Sequence, residues 1–339
     1  MSPQRPQKTS ITTLARATGL SLATVSRALA GAPSVLPQTR DKVLEAAQRL
    51  HYVRDQAAVR LKTGKTHALA FVMDQKDEHQ PGFQDFLRGL GDAVQATHYH
   101  LIVLPQVPGT DPSATVRYAV DKGLADGLVL TYTQAQDERV RYLQAQGLPF
   151  ISYGRTQLGG HEAVDFANED FAALAVQTLV QRGRKRLAVM LPDTSASFST
   201  HLREGFSQAC QQWQVSGQCV QAVSVDDAPD AIYTWARQHA RDFDGVVLSR
   251  EAPVLPLLSA LADAGLSLGR ELDCVLKYSS SLPRYLRQPL LACFEDMHRA
   301  GHAVGTQLLA RLVGTPGMAR APCVTLFPPP PLEMFHEPR

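Results

Sequence analysis

The sequence predicts an α/β protein in three parts: a small all-α head, a short connecting segment, and a larger two-lobed body of parallel α/β subdomains. Three observations lead there. Residues 1–51 carry helix-period apolar spacing with cap and turn signals and no strand-like run. From residue 68 onward, short continuous apolar runs alternate with amphipathic stretches, the pattern of parallel strands covered by helices on both faces. Charge also divides near residue 65. The first 65 residues hold eleven Lys/Arg against Asp41, Glu45 and Asp55, a net +8, so the remainder of this +2 chain is net −6.

In the head, Leu14 and Ala15 are apolar positions of a first short helix. Gly19 permits a sharp turn, because a residue without Cβ enters left-handed backbone space at little cost. Ser21 offers an N-cap oxygen to the next helix, and Val25 and Leu29 give that helix a buried face at i, i+4 spacing. Two short helices joined by a tight turn form a helix-turn-helix, whose second helix is the kind that enters a DNA major groove. Its polar face carries Thr24, Ser26 and Arg27, which suit phosphate and base-edge contacts. A basic run alone is as often a solvated face. With the motif present, a basic head on a mildly acidic body is the electrostatic footprint of a DNA-binding domain. Pro37-Gln38-Thr39-Arg40 opens a third helix with Val43, Leu44, Ala47 and Leu50 as its apolar face, ending near His51-Tyr52. Residues 54–65 are basic and alanine-rich, with Leu61 as the one large aliphatic. They are too short to stand as an isolated helix and too basic for a core. The expected division is a head at 1–51, a hinge at 52–65 and a body at 66–339.

The body opens with a buried strand at 68–73. Further strands are expected at 100–104, 127–131, 149–153, 186–191, 219–225, 245–249 and 273–278, and helices at 84–97, 139–146, 168–182, 202–215 and 256–265. So many strands over roughly 260 residues exceed one comfortable sheet. Two subdomains follow, at about 66–166 plus 295–325 and 167–294 plus 326–339. Residues 327–331, Phe followed by four Pro, form a rigid extended segment. No heptad repeat near the C-terminus points to a coiled coil.

Composition narrows the function. No apolar run is long enough to span a membrane, and the N-terminus MSPQRPQK has no apolar signal core, so the expected location is the cytoplasm. Five scattered cysteines, without a CxxC pair or His partners at metal spacing, read as reduced thiols. His98-Tyr99-His100 reads as a strand edge, and no metal or cofactor is expected. There is no Gly-x-Ser-x-Gly elbow, P-loop or dinucleotide glycine motif, which argues against an enzyme.

Together these parts resemble the lactose-repressor (LacI/GalR) family of bacterial transcription regulators. The resemblance is densest at Ala15-Arg16-Ala17-Thr18-Gly19-Leu20-Ser21, Thr24-Val25-Ser26-Arg27-Ala28-Leu29, Thr39-Arg40-Asp41-Lys42-Val43 and Leu61-Lys62-Thr63-Gly64-Lys65-Thr66. It implies a homodimer on a near-palindromic DNA operator, controlled by a small-molecule effector held in a body like the periplasmic binding proteins. It implies base reading at Leu22 and Ala23, which are apolar here and able to favour thymine methyls only, and at Arg27 on a guanine edge or phosphate. Ser21 and Thr24 open the same helix. Ser26 and Tyr52 would touch phosphates, and Leu61 would wedge between base pairs in the minor groove. Where many relatives have Pro-Asn after the aromatic, this chain has Arg54-Asp55. A solute-binding protein shares such a body, but the basic head and missing signal core argue against it.

The resemblance also places an effector between the lobes, near the carboxyl ends of the strands. Asp74 closes the first body strand, Phe83 offers an aromatic wall, and Arg203 stands in the Arg-x-Gly-Phe context of a ligand-binding arginine. Three positions depart from the family pattern: Arg250-Glu251 replaces Asn-Asp, Lys277-Tyr278-Ser279 replaces Gly-x-Asp, and Gly154-Arg155 replaces an aspartate. Loss of two sugar-holding carboxylates and gain of Arg155, Arg250 and Lys277 shift the expected cleft toward positive charge. A neutral sugar or glycoside leads, with an anionic sugar derivative as the alternative. Internal pairing of these cations with Glu251, Glu295 or Asp296 is the third possibility.

Overall fold

The computed structural model describes residues 9–29, 31–52, 60, 64–77, 81–107, 109–192, 195–313 and 321–336. The chain divides into two compact units, residues 1–66 and 67–339.

The first unit holds α1 (Ile11–Thr18), α2 (Leu22–Leu29) and α3 (Pro37–Arg49). Local chemistry sets each end. Ser10 Oγ accepts the Thr13 N–H at the start of α1, and Gly19 ends that helix at φ 68°. Ser21 Oγ accepts the Thr24 N–H at 3.1 Å and opens α2. Leu14, Val25 and Val43, all fully buried, meet Ala28, Val35 and Ala46 in a small core. The third helix departs from its expected face. Leu44 is 48 % exposed and Ala46 is buried instead, because α3 rests on α1 and α2 along its 43–46–50 stripe.

In the second unit, one six-stranded sheet is built from β1 (Ala68–Met73), β2 (His100–Pro105), β3 (Gly127–Leu130), β4 (Phe150–Tyr153), β5 (Glu162–Phe166) and β11 (Val324–Phe327), in the order β11-β5-β4-β3-β1-β2 and parallel throughout. The other contains β6 (Arg186–Met190), β7 (Ser216–Cys219), β8 (Gly245–Leu248), β9 (Asp273–Tyr278), β10 (Leu290–Phe294) and β12 (Glu333–Phe335), in the order β12-β10-β9-β8-β6-β7, with only β12 antiparallel. The helices are α4 (Phe83–Gln95), α5 (Ala114–Asp121), α6 (Glu138–Gln146), α7 (Asn168–Gln181), α8 (Ser197–Gln212), α9 (Pro229–His239), α10 (Val254–Asp263) and α11 (Met297–Val313). Each sheet carries an apolar cluster on both faces, so the body has two lobes. The chain passes between lobes from β5 to α7, from β10 to α11, and from β11 to β12 across the proline run, whose fixed backbone suits a crossing strap.

Two expected elements shift. The apolar stretch 219–225 is mostly loop, and Ser216–Cys219 forms the strand beside β6, since an edge position demands little apolar burial. The helix expected at 202–215 begins five residues earlier, at Ser197. Helices α4 and α11 meet backbone to backbone: a Cβ on Gly301 would stand 2.1 Å from Phe86 O, and one on Gly89 2.1 Å from His298 O. That close approach fixes Met297, the first residue of α11, at the cleft.

Candidate DNA-binding face and effector cleft

On α2, Leu22 is 49 % exposed, and Ser21, Ala23 and Arg27 also stand in solvent, while Thr24 and Ser26 are half-buried. The Arg27 Nε donates to Ala23 O at 3.3 Å, which lays the guanidinium along the helix surface. Tyr52 is half-buried against the head core, its N–H donating to Ala47 O. Leu61 lies outside the described residues.

The cleft in the body opens where the strands of both sheets end. From the first lobe come Asp77 beyond β1, Thr131 and Tyr132 beyond β3, Tyr153 and Gly154 at β4, and Asp165 in β5. From the second come Ser249, Arg250 and Glu251 beyond β8 and Lys277, Tyr278 and Ser279 at β9. Glu295 and Met297 join from the second crossing, and Phe83, Phe86 and Phe198 complete an aromatic surround. Parallel strands ending at one cleft bring loop residues from many parts of the chain to one place.

Of the eight expected effector residues, Phe83, Arg250, Glu251, Lys277 and Ser279 line this cleft, and three do not. After β1 the chain enters a 3-10 turn at Gln75–Asp77, so Asp77 lines the cleft, and Asp74, whose backbone N–H donates to the Asp77 carboxylate at 2.7 Å, is not among the lining residues. Arg155 is taken up in ion pairs with Asp165 (2.8 Å) and Glu169 (2.6 Å). Arg203 is exposed on α8 beside Cys219. The buried stripe of that helix runs through Leu202, Gly205 and Phe206, and one residue further turns the side chain about 100° away. Sequence reasoning passed over Asp77, Asp165, Tyr132 and Phe198. Tyr132 carries φ 49°, uncommon for a bulky residue, and is held by Arg250 NH2 on its hydroxyl (2.9 Å) and by the Phe198 ring edge.

The expected positive cleft is not what forms. Arg250 pairs with Asp226 at 2.8 Å and lies over the Tyr132 and Phe198 rings. Lys277, 7 % exposed, bonds Glu295 and Asn168 at 3.0 Å each and sits over Phe166. Against these two cations stand Asp77, Asp165, Glu251 and Glu295. Burial pushes the Asp77 carboxyl up to about 7, the Thr131 hydroxyl and Asp74 N–H opposing it. Burial also raises Asp165 despite its bonds to Arg155, and burial and then the charge of Glu295 raise the Tyr153 hydroxyl. Among the described residues, no group of His, Cys, Asp and Glu could hold a metal, and no helix is long and apolar enough to cross a membrane. All five cysteines are free.

A helix-turn-helix head joined to a two-lobed α/β body with a polar, aromatic-walled cleft defines a class of DNA-binding, ligand-responsive regulators. Residues 10–55 match the bacterial regulatory proteins of the lacI family, and residues 66–252 match the periplasmic binding proteins and sugar binding domain of the LacI family. The chain belongs to the LacI family of transcription regulators, and its relatives are regulators rather than enzymes. It is 29 % identical to the HTH-type transcriptional regulator AglR of Rhizobium meliloti over 320 residues, covering 89 % of this chain and 86 % of that one. To RafR of Escherichia coli it is 30 % identical over 218 residues, 63 % of this chain and 65 % of the relative. In fold it is similar to the Lac repressor dimer bound to operator and the anti-inducer ONPF, with TM-score 0.81, 16 % identity and coverage of 97 % and 99 %. It is also similar to the CelR–cellobiose complex, with TM-score 0.69, 19 % identity and coverage of 98 % and 99 %.

Proposed function

We propose that this LacI-family regulator represses transcription by binding a near-palindromic operator as a homodimer, and that a neutral sugar or glycoside in the cleft controls it. One observation carries the effector reading. The cleft presents four carboxylates, and both of its cations already have carboxylate partners. An anionic effector would have to break those pairs and face the carboxylates, whereas hydroxyl groups bond carboxylates and amides, and sugar faces pack on aromatic rings. The cellobiose held by the similar CelR structure agrees with this class.

On DNA, Ser21, Leu22, Ala23, Thr24, Ser26 and Arg27 contact the major groove and its flanking phosphates, Tyr52 a phosphate, and Leu61 the minor groove. Leu22 and Ala23 supply no hydrogen-bonded readout, so discrimination beneath them rests on methyl contacts. The effector acts by its different affinity for two lobe arrangements, one of which favours an ordered 52–65 segment on DNA. Effector binding then releases the operator. Fluorescence anisotropy on operator-bearing DNA from the chain's own regulated promoter, with and without neutral sugars, tests this. Specific binding weakened by a neutral sugar supports it, and weakening by sugar phosphates or sugar acids alone replaces the neutral reading.

A further inference from the structure

We infer that Asp137 and Arg139 are positioning residues that act across the cleft: through Tyr132 and Thr133 they hold a clasp between the two lobes, built on rings that a cleft ligand meets. This rests on the reading of the body as ligand-responsive and is independent of which ligand the cleft holds. The pair is buried, the Arg139 and Asp137 side chains being 5 % and 3 % exposed. Arg139 Nε donates to Asp137 Oδ1 at 3.1 Å, and Nη2 to Oδ2 at 2.8 Å. Burial pushes the Asp137 carboxyl up, but the bonds and charge of Arg139 and the N–H groups of Gln134 and Arg139 bring it below its ordinary value, so the pair is ionised at neutral pH. Two buried charges are costly to desolvate, and apolar side chains would fill the same space as well. What the charges add is a hold on the backbone.

Arg139 Nη2 also donates to Thr131 O at 3.0 Å and Tyr132 O at 3.2 Å, while Asp137 Oδ2 accepts the Gln134 N–H at 3.0 Å. The segment 131–134, between β3 and α6, is therefore bonded to the pair at both of its ends. Those bonds flank Tyr132 at φ 49°, a backbone conformation that costs a bulky residue energy and persists only where its surroundings hold it. Asp137 is itself tied to the start of α6, where its Oδ1 accepts the Arg139 N–H at 2.9 Å as the N-cap.

The same segment fastens to the second lobe. Thr133 O accepts the Ser197 N–H at 2.8 Å, and Gln134 forms an antiparallel bridge with Ala196. Tyr132 meets the Phe198 ring edge to face and accepts Arg250 Nη2 on its hydroxyl. Residues 132, 133 and 134 of the first lobe thus engage residues 198, 197 and 196 at the start of α8 in the second. Tyr132 and Phe198 also line the cleft. A ligand packed on these rings shares residues with the clasp, and it biases the lobe arrangement by making different contacts in the clasped and unclasped forms. Without the hold of Arg139 on two successive carbonyls, the segment loses the backbone geometry that sets Thr133 O against Ser197.

Amide hydrogen exchange of the full chain, read residue by residue by mass spectrometry, tests this. In the wild type the N–H groups of Gln134 and Ser197 lie in different lobes, yet they should open as one unit, with protection matching within about threefold. Widely different protection overturns the clasp, and this arm needs no variant to fold. Arg139→Lys keeps a cation beside Asp137 but lacks the planar fork that also reaches two carbonyls. It should speed exchange at Ser197 about tenfold or more, while the β8 and β9 amides of the second lobe and the urea midpoint by tryptophan fluorescence stay as in wild type. Asp137→Asn, which retains a capping oxygen, should do the same. Unchanged Ser197 exchange in both variants confines the pair to capping α6 and overturns the inference. Faster exchange spread evenly over both lobes makes the pair a support of the whole fold and overturns it equally. No effector enters the test, so its failure leaves the sugar reading standing, and failure of the sugar reading leaves the clasp.

Discussion

Asp77 should make the body less stable as pH rises from acid to neutral. Its carboxyl titrates at about 7 in the folded chain against a reference of 3.8, because burial disfavours the charged form more than Thr131 and the Asp74 N–H favour it. Between those two values the folded state binds more protons than the unfolded state, so unfolding free energy falls as pH rises, and the loss levels off above the folded value. From pH 5 to pH 8 linkage puts this single contribution at about 3 kcal/mol, a large share of a typical domain's margin. The permanently neutral Asp77→Asn retains both hydrogen bonds and lacks this contribution. Both tryptophans, Trp213 and Trp235, lie in the body, so their fluorescence follows its unfolding in urea. The stability of Asp77→Asn relative to wild type should therefore grow by about 3 kcal/mol across that range. A difference that stays flat with pH, or that shrinks, refutes the argument that a buried carboxyl carries this penalty.

Other perturbations have equally direct readouts. Gly301→Ala forces a Cβ against Phe86 O, and should cost the body about 3 kcal/mol or more and lower its melting temperature, whereas Gly91→Ala, with open space around it, should be neutral or slightly stabilising. Ser21→Ala removes the cap on Thr24 N and should destabilise the head by about 1 kcal/mol, seen as an earlier helical melt by circular dichroism and weaker operator binding. Arg203→Ala should leave effector affinity unchanged, while Arg250→Ala frees Asp226 and Tyr132 and should weaken it at least tenfold, both read by calorimetry. Leu61→Ala should weaken specific operator binding far more than non-specific binding in anisotropy titrations, and equal losses would sink the wedge.

The head was legible almost residue by residue because its determinants are local. A cap at Ser21, a left-handed turn at Gly19 and an apolar stripe through Val25 each act within four residues. Leu44 was misplaced because apolarity alone does not fix the helix face. Alternation of strands and helices was legible in the body wherever a strand is buried on both faces, as in β1 and β9. It failed at β5, whose Glu162 and Asp165 break the apolar pattern although all five residues are buried. It failed again at β7, an edge strand of Ser216–Cys219 with little apolar content.

The cleft shows why residue type at a family position does not transfer directly to a role. The resemblance found the right loops, yet the role of each side chain was decided by distances that sequence does not carry. Arg155 follows a cleft strand, and its charge is neutralised by Asp165 and Glu169 from elsewhere in the chain. Lys277 and Arg250 suggested an anion, but each stands beside a carboxylate, Glu295 or Asp226, supplied by another segment. Asp74 and Arg203 failed on phase: three residues of 3-10 turn carry Asp77 to the cleft in place of Asp74, and one step around α8 separates Arg203 from the buried Leu202. Charge counted along the chain therefore left open which cations pair internally, and Lys277 takes the Glu295 partner named among the alternatives while Arg250 takes Asp226. The charge a ligand meets follows from which side chains pair once the chain has folded, and in this body both cleft cations stand beside carboxylates.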